Sequence, residues 1–282
     1  MRVLADSHAH LGGVAEELGE GALRDVLAAY ASAWAAAAAE GGRGPILVDV
    51  GTESRDIASR AERLARAWAA APPFLALTAG AWPSEEALGD PTRALRDLES
   101  AVADFAAAGG RCAAIGEGGL DYHHMNGSRA AQLGLFEGQL DLAARLGLPL
   151  VVHSREAFED TLGAIASARP AVPVVIHCFG YGPAEARAFL DLGCMISFAG
   201  NLSYKKAGAL REACALVPAD RLLLETDSPY MNPEPRRGRP SSPLDLERTC
   251  AAAAALRGAE PAALAVAASR NAWSVFGPRL RP

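Results

Sequence analysis

The chain has 282 residues, of which 50% are hydrophobic and 21% are charged, a composition typical of a globular protein with a large core. Its formal net charge of -6 at pH 7 excludes a general electrostatic grip on nucleic acid or on an anionic membrane, so an anionic substrate has to be held locally. The five cysteines show no CxxC spacing, which predicts reduced thiols rather than a disulfide framework.

Localisation and domain organisation are predicted from the segments that the sequence lacks. An acidic residue, Asp6, interrupts the opening before a signal-type apolar segment can form, and no apolar run reaches membrane-spanning length. We therefore expect a cytoplasmic protein without a membrane partner, and we infer no obligate protein partner. Because no linker or internal repeat divides the sequence, a single domain over 1–282 is predicted.

Eight short apolar runs predict β-strands along the chain. In chain order they are Val3-Leu4-Ala5, 46-ILVDVGT, 74-FLALTAGA, 112-CAAIGEGG, 148-LPLVVHSR, 173-PVVIHCFG, 194-CMISFAG and 221-RLLLETDS. Longer stretches with helical spacing lie between them, such as 132-QLGLFEGQLDLAARLG with Gly147 as a candidate C-cap, and alanine tracts at 35–39 and 251–255 also predict helix.

Continuous apolar strands that alternate with helices indicate an α/β fold with a parallel sheet covered on its outside. Eight such units in one chain predict a closed (β/α)₈ TIM barrel. The structural alternative is a doubly wound open sheet, but no GxGxxG motif follows the first strand to support it.

Residues that bind metals or transfer protons stand at the ends of these runs. In a (β/α)₈ barrel the carboxyl ends of all strands share one face, where the βα loops build active sites. Residues far apart in the sequence therefore become neighbours there. They are His8, His10, Glu117, His153, His177, Glu225 and Asp227.

Four of the six histidines fall in this pattern, which predicts a site for two divalent cations. We assign His8, His10 and Asp227 to one metal and His153 and His177 to the other, with Glu117 as the bridge. Imidazole and carboxylate ligands admit Zn, Mg, Mn or Co. A single histidine or glutamate at a strand end is more often structural, but coincidence at five strand ends is much less plausible.

Two adjacent cations can lower the pKa of a shared water and stabilise an in-line displacement. Three carboxylates are candidate catalytic groups: Glu117 as the bridge, Asp227 to orient the water and take its proton, and Glu225. For Glu225, a further proton-transfer group, a residue that fixes a histidine tautomer, and an interior carboxylate paired with an arginine all remain open.

Substrate contacts are predicted from basic and aromatic residues that follow the strands. Arg155 has the same strand parity as His153 and either binds a phosphate oxygen or neutralises Asp121 or Glu117. Arg236, Arg237 and Arg239 form a local basic patch in a loop after the last strand. Four aromatic residues either stack on bases or pack under loops: Tyr122, Phe179, Tyr181 and Tyr204. Cys178 has the opposite parity to His177, which predicts a core position.

Several ordered stretches resemble the TatD family of metal-dependent deoxyribonucleases. They are DSHAHL, IGEGGLDY, LPLVVHSREA, VIHCFGY, GCMISFAGNLSYKK, DRLLLETDSPYMNP and NAWSVFG, and they cover nearly all of the chain. The resemblance implies a (β/α)₈ barrel, a dinuclear site on the residues assigned above, and hydrolysis of phosphodiester bonds in DNA, often from a 3′ end. The partner it implies is single-stranded DNA or a DNA 3′ end.

The sequence departs from the family pattern in three places. Gly118 stands where an aliphatic residue is usual, His123 and His124 add imidazoles, and the segment 238–243 (GRPSSP) replaces an Arg-Asn-Glu-Pro stretch. None of these departures removes a predicted ligand.

Three other functions are compatible with the sequence. A D-aminoacyl-tRNA deacylase would use the same site on an ester. A barrel amidohydrolase would often need a bridging carbamylated lysine, but the only lysines are Lys205 and Lys206, after the seventh run. An inactive binding barrel would have lost ligands, and every expected ligand is present.

Overall fold

Eight parallel strands form one sheet in sequence order in the computed structural model, which describes residues 3–68 and 72–280. The sheet closes where the backbone N–H of Asp227 donates to the His8 carbonyl (2.9 Å) and that of His10 donates to the Ser228 carbonyl (2.7 Å). The predicted (β/α)₈ barrel is therefore confirmed. The strands are β1 Asp6–Ala9, β2 Leu47–Asp49, β3 Leu75–Ala79, β4 Cys112–Asp121, β5 Leu150–Arg155, β6 Val174–Ile176, β7 Met195–Phe198 and β8 Leu222–Leu224.

Helices separate the strands and cover the sheet. They are α1 Leu11–Leu18, α2 Glu20–Ala39, α3 Ile57–Ala67, α4 Glu85–Gly89, α5 Pro91–Ala107, α6 Arg129–Leu146, α7 Phe158–Ala168, α8 Pro183–Asp191, α9 Gly208–Leu216, α10 Leu246–Arg257 and α11 Pro261–Phe276. Both alanine tracts are helical, in α2 and α10.

The helix predicted over 132–147 is confirmed as α6, with a start three residues earlier. Ser128 provides the N-cap, because its side chain accepts a hydrogen bond from the backbone N–H of Ala131. Gly147 ends the helix in the left-handed region, with φ of 60°, as expected for a C-cap glycine.

Within the described residues, no single helix has the length and apolarity to cross a membrane. One pair of helical segments, Pro243–Arg257 and Pro261–Phe276, meets that criterion only when the two are combined across a sharp bend.

The first strand lies later than the sequence predicts. The expected strand was Val3-Leu4-Ala5, but pairing with β2 begins at Asp6, so the Asp-Ser-His motif is itself the strand. The carboxylate of Asp6 accepts hydrogen bonds from the backbone N–H of His8 (3.2 Å) and from the Thr226 hydroxyl (2.6 Å). Asp6 thus joins β1 to the segment after β8 and holds the backbone of the motif.

Gly118 in β4 packs against the side chain of Gln139 in α6. A Cβ atom at Gly118 would lie 2.4 Å from Gln139 Oε1, so the amide occupies the space of a larger side chain. Gln139 is fully buried, accepts from the backbone N–H of Ala81 (3.0 Å) and donates to the Ala81 carbonyl (2.9 Å). This pairing explains why an aliphatic residue is absent at position 118.

Candidate metal centre

The six predicted metal ligands meet at the carboxyl ends of the strands. His8 lies in β1 and His10 is the N-cap residue of α1. Glu117 lies in β4 and His153 in β5. His177 directly follows β6, and Asp227 follows β8.

Glu117 presents one carboxylate oxygen to each pair of imidazoles. Its Oε2 atom lies 3.3 Å from His8 Nε2 and 3.6 Å from His10 Nε2. Its Oε1 atom lies 2.8 Å from His153 Nδ1 and 3.1 Å from His177 Nε2. Glu117 therefore lies between the two pairs of imidazoles, with one carboxylate oxygen directed to each pair.

Asp227 completes the group on the side of His8 and His10. Its Oδ1 atom lies 3.5 Å from His10 Nε2 and 3.8 Å from His8 Nε2. These three residues offer ligand atoms that all lie within 4.8 Å of one another, and so do His8, Glu117 and His177. His8 thus lies close to both groups, and its ring stacks on His177 at 3.9 Å between centroids.

The donor set fits divalent cations. His8 Nε2 lies 3.3 Å from His10 Nε2, and His153 Nδ1 lies 3.1 Å from His177 Nε2. Each pair of nitrogens converges with a Glu117 oxygen on one point, and a cation at that point satisfies all three atoms. Glu117 and Asp227 are buried as well, and buried carboxylates need compensating positive charge.

Backbone and side-chain acceptors orient two of the four rings. His10 Nδ1 lies 3.1 Å from the Val50 carbonyl. His153 Nε2 lies 3.0 Å from Asp121 Oδ2. His177 Nδ1 lies 3.6 Å from Glu225 Oε1, which is too long for a hydrogen bond. An acceptor at one ring nitrogen fixes the proton there and leaves the other nitrogen free to bind a metal.

Glu225 lies behind His177 rather than beside an arginine. Its Oε1 atom also accepts a hydrogen bond of 2.5 Å from the backbone N–H of Cys178. Among the described residues no arginine forms an ion pair with Glu225. Of the alternatives open for this residue, pairing with an arginine is therefore not found among the described residues, whereas a proton-transfer group and a residue that fixes a histidine tautomer stay predictions.

Sequence reasoning missed the role of Asp121. This buried carboxylate accepts hydrogen bonds from His153 Nε2 (3.0 Å), from His124 Nδ1 (2.9 Å) and from the backbone N–H of His123 (3.0 Å). Burial raises the pKa of Asp121, but these hydrogen bonds outweigh burial and hold it well below its usual range. The sequence signal that could have identified this residue is its position four residues after Glu117, in the same strand, β4.

Without metal, the centre shares protons between imidazoles and carboxylates. Burial opposes ionisation of Glu117, but the charge of His177 and hydrogen bonds from His153 hold its pKa well below the usual range. Burial lowers the pKa of His177, yet Glu117 raises it well above the ordinary value. Burial and the charge of His177 lower the pKa of His8. The ionised Glu117 carboxylate thus favours the protonated form of His177 in the metal-free protein.

The predicted phosphate-binding arginines occupy different environments. Arg155 is exposed at the end of β5, and Asp121 and Glu117 pair with imidazoles rather than with it among the described residues. Arg236 forms an ion pair with Asp245 at 3.6 Å. The guanidinium of Arg237 lies 4.4 Å from the centre of the Tyr204 ring, and Arg239 is exposed.

The four aromatic residues proposed for base stacking already have partners within the protein. Phe179 is buried, and the Tyr204 hydroxyl donates to the Asn232 carbonyl at 3.1 Å. Arg129 covers the Tyr122 ring at 4.5 Å, and the Tyr181 hydroxyl lies 2.8 Å from Ser154 Oγ. The structure therefore favours the alternative that these rings pack under loops.

Cys178 corrects the prediction of a core position. Strand β6 ends at Ile176, so strand parity no longer applies two residues later, and Cys178 adopts a positive φ of 42°. The residue is half-buried, and burial together with the charge of Asp227 raises the pKa of its thiol well above the usual value.

The chain is similar in sequence to proteins of a known family. The TatD related DNase family matches residues 5–277. An uncharacterized metal-dependent hydrolase TatD from Mycobacterium tuberculosis H37Rv is 36% identical over 194 residues, which cover 66% of this chain and 74% of that protein. A 3′-5′ ssDNA/RNA exonuclease TatD from Erwinia billingiae is 40% identical over 169 residues, which cover 58% of this chain and 65% of that protein.

Solved structures show the same fold over nearly the full length. A TatD homolog, YJJV from Escherichia coli K12, superposes with a TM-score of 0.75 at 26% identity, covering 97% of this chain and 98% of that one. A TatD family hydrolase from Entamoeba histolytica has a TM-score of 0.76 at 18% identity, covering 98% and 99% respectively, and supports the fold alone.

Proposed function

The chain belongs to the TatD family of metal-dependent hydrolases, and we propose that it is a nuclease that removes nucleotides from the 3′ end of DNA with two divalent metal ions. The family and the class of enzyme, metal-dependent hydrolase, follow from the match over residues 5–277. The nucleic acid substrate, the 3′ to 5′ direction and the pair of metals are the proposal.

The position of Glu117 is the observation that carries the proposal. Its two oxygens lie within 3.6 Å of two different pairs of imidazoles, which is how a carboxylate bridges two cations. Two-metal sites suit phosphodiester hydrolysis, because the attacking and leaving oxygens lie on opposite sides of one phosphorus.

When bound, the two cations would lower the pKa of a nearby water and offset negative charge on the phosphate oxygens. His8, His10 and Asp227 would hold one of them, His153 and His177 the other, and Glu117 would contact both. The chain itself supplies fixed geometry, because Asp121 orients His153 from behind through a hydrogen bond of 3.0 Å.

Asp227 is the residue placed to move a proton. Burial opposes its ionisation, but the hydrogen bond from His10 and the charge of His8 keep its pKa below the usual value. An ionised carboxylate at this point can accept the proton that water loses as its oxygen bonds to phosphorus. The bond from phosphorus to the leaving oxygen then breaks, and that oxygen takes up the proton that Asp227 accepted, which restores the carboxylate.

Local positive charge supports a polyanionic substrate despite the net charge of -6. Arg155 is exposed at the end of β5, and Arg237 and Arg239 are exposed in the loop after β8, on the face that holds the candidate metal centre. Arginine binds phosphate oxygens through two parallel N–H groups. These residues are therefore the proposed contacts to the DNA backbone.

The amidohydrolase alternative lacks its usual bridge. Lys205 and Lys206 lie between β7 and α9, whereas Glu117 stands where a bridging ligand is needed. No specific observation favours a D-aminoacyl-tRNA deacylase over a nuclease, so this activity becomes one arm of the test.

The test uses metal-stripped protein and a single-stranded oligonucleotide labelled at its 5′ end, with Mg, Mn, Co or Zn added back. The proposal predicts metal-dependent shortening from the 3′ end by the wild type and by Glu156→Gln, which alters an exposed carboxylate paired with His123 at 2.8 Å. Glu117→Gln should be inactive. Metal-loaded wild type that leaves DNA intact but deacylates D-aminoacyl-tRNA would contradict the proposal.

A further inference from the structure

Tyr230 is the exposed aromatic residue nearest the metal centre. Of the large apolar side chains recorded as exposed in the described chain, Tyr230 is the only aromatic one, and at 61% it is the most exposed. Its ring centroid lies 6.0 Å from that of His10, a predicted metal ligand. A flat apolar surface thus faces solvent beside the position proposed for the scissile phosphate.

The backbone of Tyr230 is fixed from both sides. Its N–H donates to the Asp227 carbonyl (2.8 Å), and its carbonyl accepts a hydrogen bond from the Ser241 hydroxyl. The backbone N–H of Ser241, which is fully buried, donates to the Pro229 carbonyl at 2.8 Å. The exposed ring is therefore presented by a rigid turn and not by a loose loop.

Pro229 fixes this turn against the start of α1. A Cβ atom at Gly13 would lie 2.9 Å from Pro229 Cδ, so the absence of a side chain at Gly13 permits the close approach. Because α1 begins directly after His10, the same contact ties the backbone of this turn to the segment that follows a predicted metal ligand. A fixed backbone at Tyr230 reduces the conformational entropy that is lost when a ligand stacks on the ring.

We propose that Tyr230 is the stacking platform for the base of the nucleotide whose phosphate lies at the metal centre. This inference rests on the proposed nuclease function. Single-stranded nucleic acid is bound by aromatic rings that accept any base and by cations that track the backbone. Both elements are present here. The Ser241 hydroxyl donates to the Tyr230 carbonyl, and Ser241 belongs to the same loop as the exposed Arg237 and Arg239.

The hydroxyl of Tyr230 is not needed for this role. It forms no hydrogen bond among those of the described residues, and burial together with the charge of Asp227 raises its pKa above the usual value. The ring therefore stays neutral at ordinary pH. Tyr230→Phe should keep the platform, whereas Tyr230→Ala should remove it.

The first experiment compares oligonucleotides with a normal and an abasic 3′-terminal nucleotide. Loss of one stacked base weakens binding by about 5- to 150-fold. We expect Tyr230→Ala to lower kcat/KM within this range on the normal substrate, with little change on the abasic one. Tyr230→Phe should match the wild type, and so should Leu192→Ala, an exposed residue before β7 at the opposite end of the barrel.

A second readout separates this inference from the nuclease function. An oligonucleotide with 2-aminopurine at its 3′ end, bound in the presence of Ca, should lose fluorescence with the wild type but not with Tyr230→Ala. If the wild type quenches the probe but hydrolyses no oligonucleotide, only the nuclease function fails. Equal quenching by both proteins, or an equal loss of kcat/KM on both substrates, overturns the stacking role.

Discussion

Asp121 accepts a hydrogen bond of 3.0 Å from Nε2 of His153, the ring nitrogen opposite the one that faces Glu117. The carboxylate is buried and is also held by two backbone N–H groups, those of His123 and His124. Because its own position is fixed, it fixes the tautomer and the orientation of the ring. His153 is thereby prepared to present Nδ1 to a cation.

Asp121→Asn should weaken metal binding about 10- to 100-fold, the usual effect of removing a carboxylate that supports a histidine ligand. Isothermal titration of metal-stripped protein with Mn measures the affinity. Asp160→Asn is the matched control, because this carboxylate hydrogen-bonds Tyr122 and Arg129 and contacts no predicted ligand. Equal affinities for Asp121→Asn and the wild type would remove Asp121 from the metal centre.

Metal binding should release protons at pH 7. Glu117 raises the pKa of His177 well above its ordinary value in the metal-free protein, and burial does not reverse this. The imidazole must lose its proton to bind a metal, so affinity should rise with pH until the pH passes that raised pKa. Titrations in two buffers with different ionisation enthalpies give the number of protons released. Identical heats in both buffers would contradict the prediction.

Gly118→Ala should destabilise the fold through Gln139. The new Cβ would lie 2.4 Å from Gln139 Oε1 and would displace an amide that makes two hydrogen bonds to Ala81. The cost of lost buried hydrogen bonds is about 1–3 kcal/mol. In a Gln139→Ala background, where the amide is already gone, Gly118→Ala should cost much less. Urea unfolding measures all four proteins, and additive free energies would exclude the coupling.

The barrel and the convergence of the candidate ligands were predictable because both depend on local patterns. A buried parallel strand gives a continuous apolar run, and the residue at its carboxyl end lies on the active-site face regardless of the length of the following helix. His8, Glu117, His153 and His177 could therefore be placed together without knowledge of any helix. The start of β1 was misplaced because the strand residue Asp6 is polar and buried.

The surroundings of the candidate ligands depend on contacts between residues that lie far apart in the sequence. Tyr204 is covered by Arg237 because two separate loops meet, and Tyr181 bonds Ser154 across two βα units. Tyr230 is exposed only because Ser241 and Pro229 hold its turn outward. Exposure of a side chain in a loop is a tertiary property, so the choice among aromatic residues required the structure.

The most direct measurement is the rate of nucleotide release from a single-stranded oligonucleotide as Mn is added to metal-stripped protein in known equivalents. A bridging Glu117 predicts that the rate reaches its plateau at two equivalents per chain, and that Glu117→Gln shows no plateau and no release. A plateau at one equivalent, or full metal loading without release of nucleotides, would contradict a two-metal nuclease.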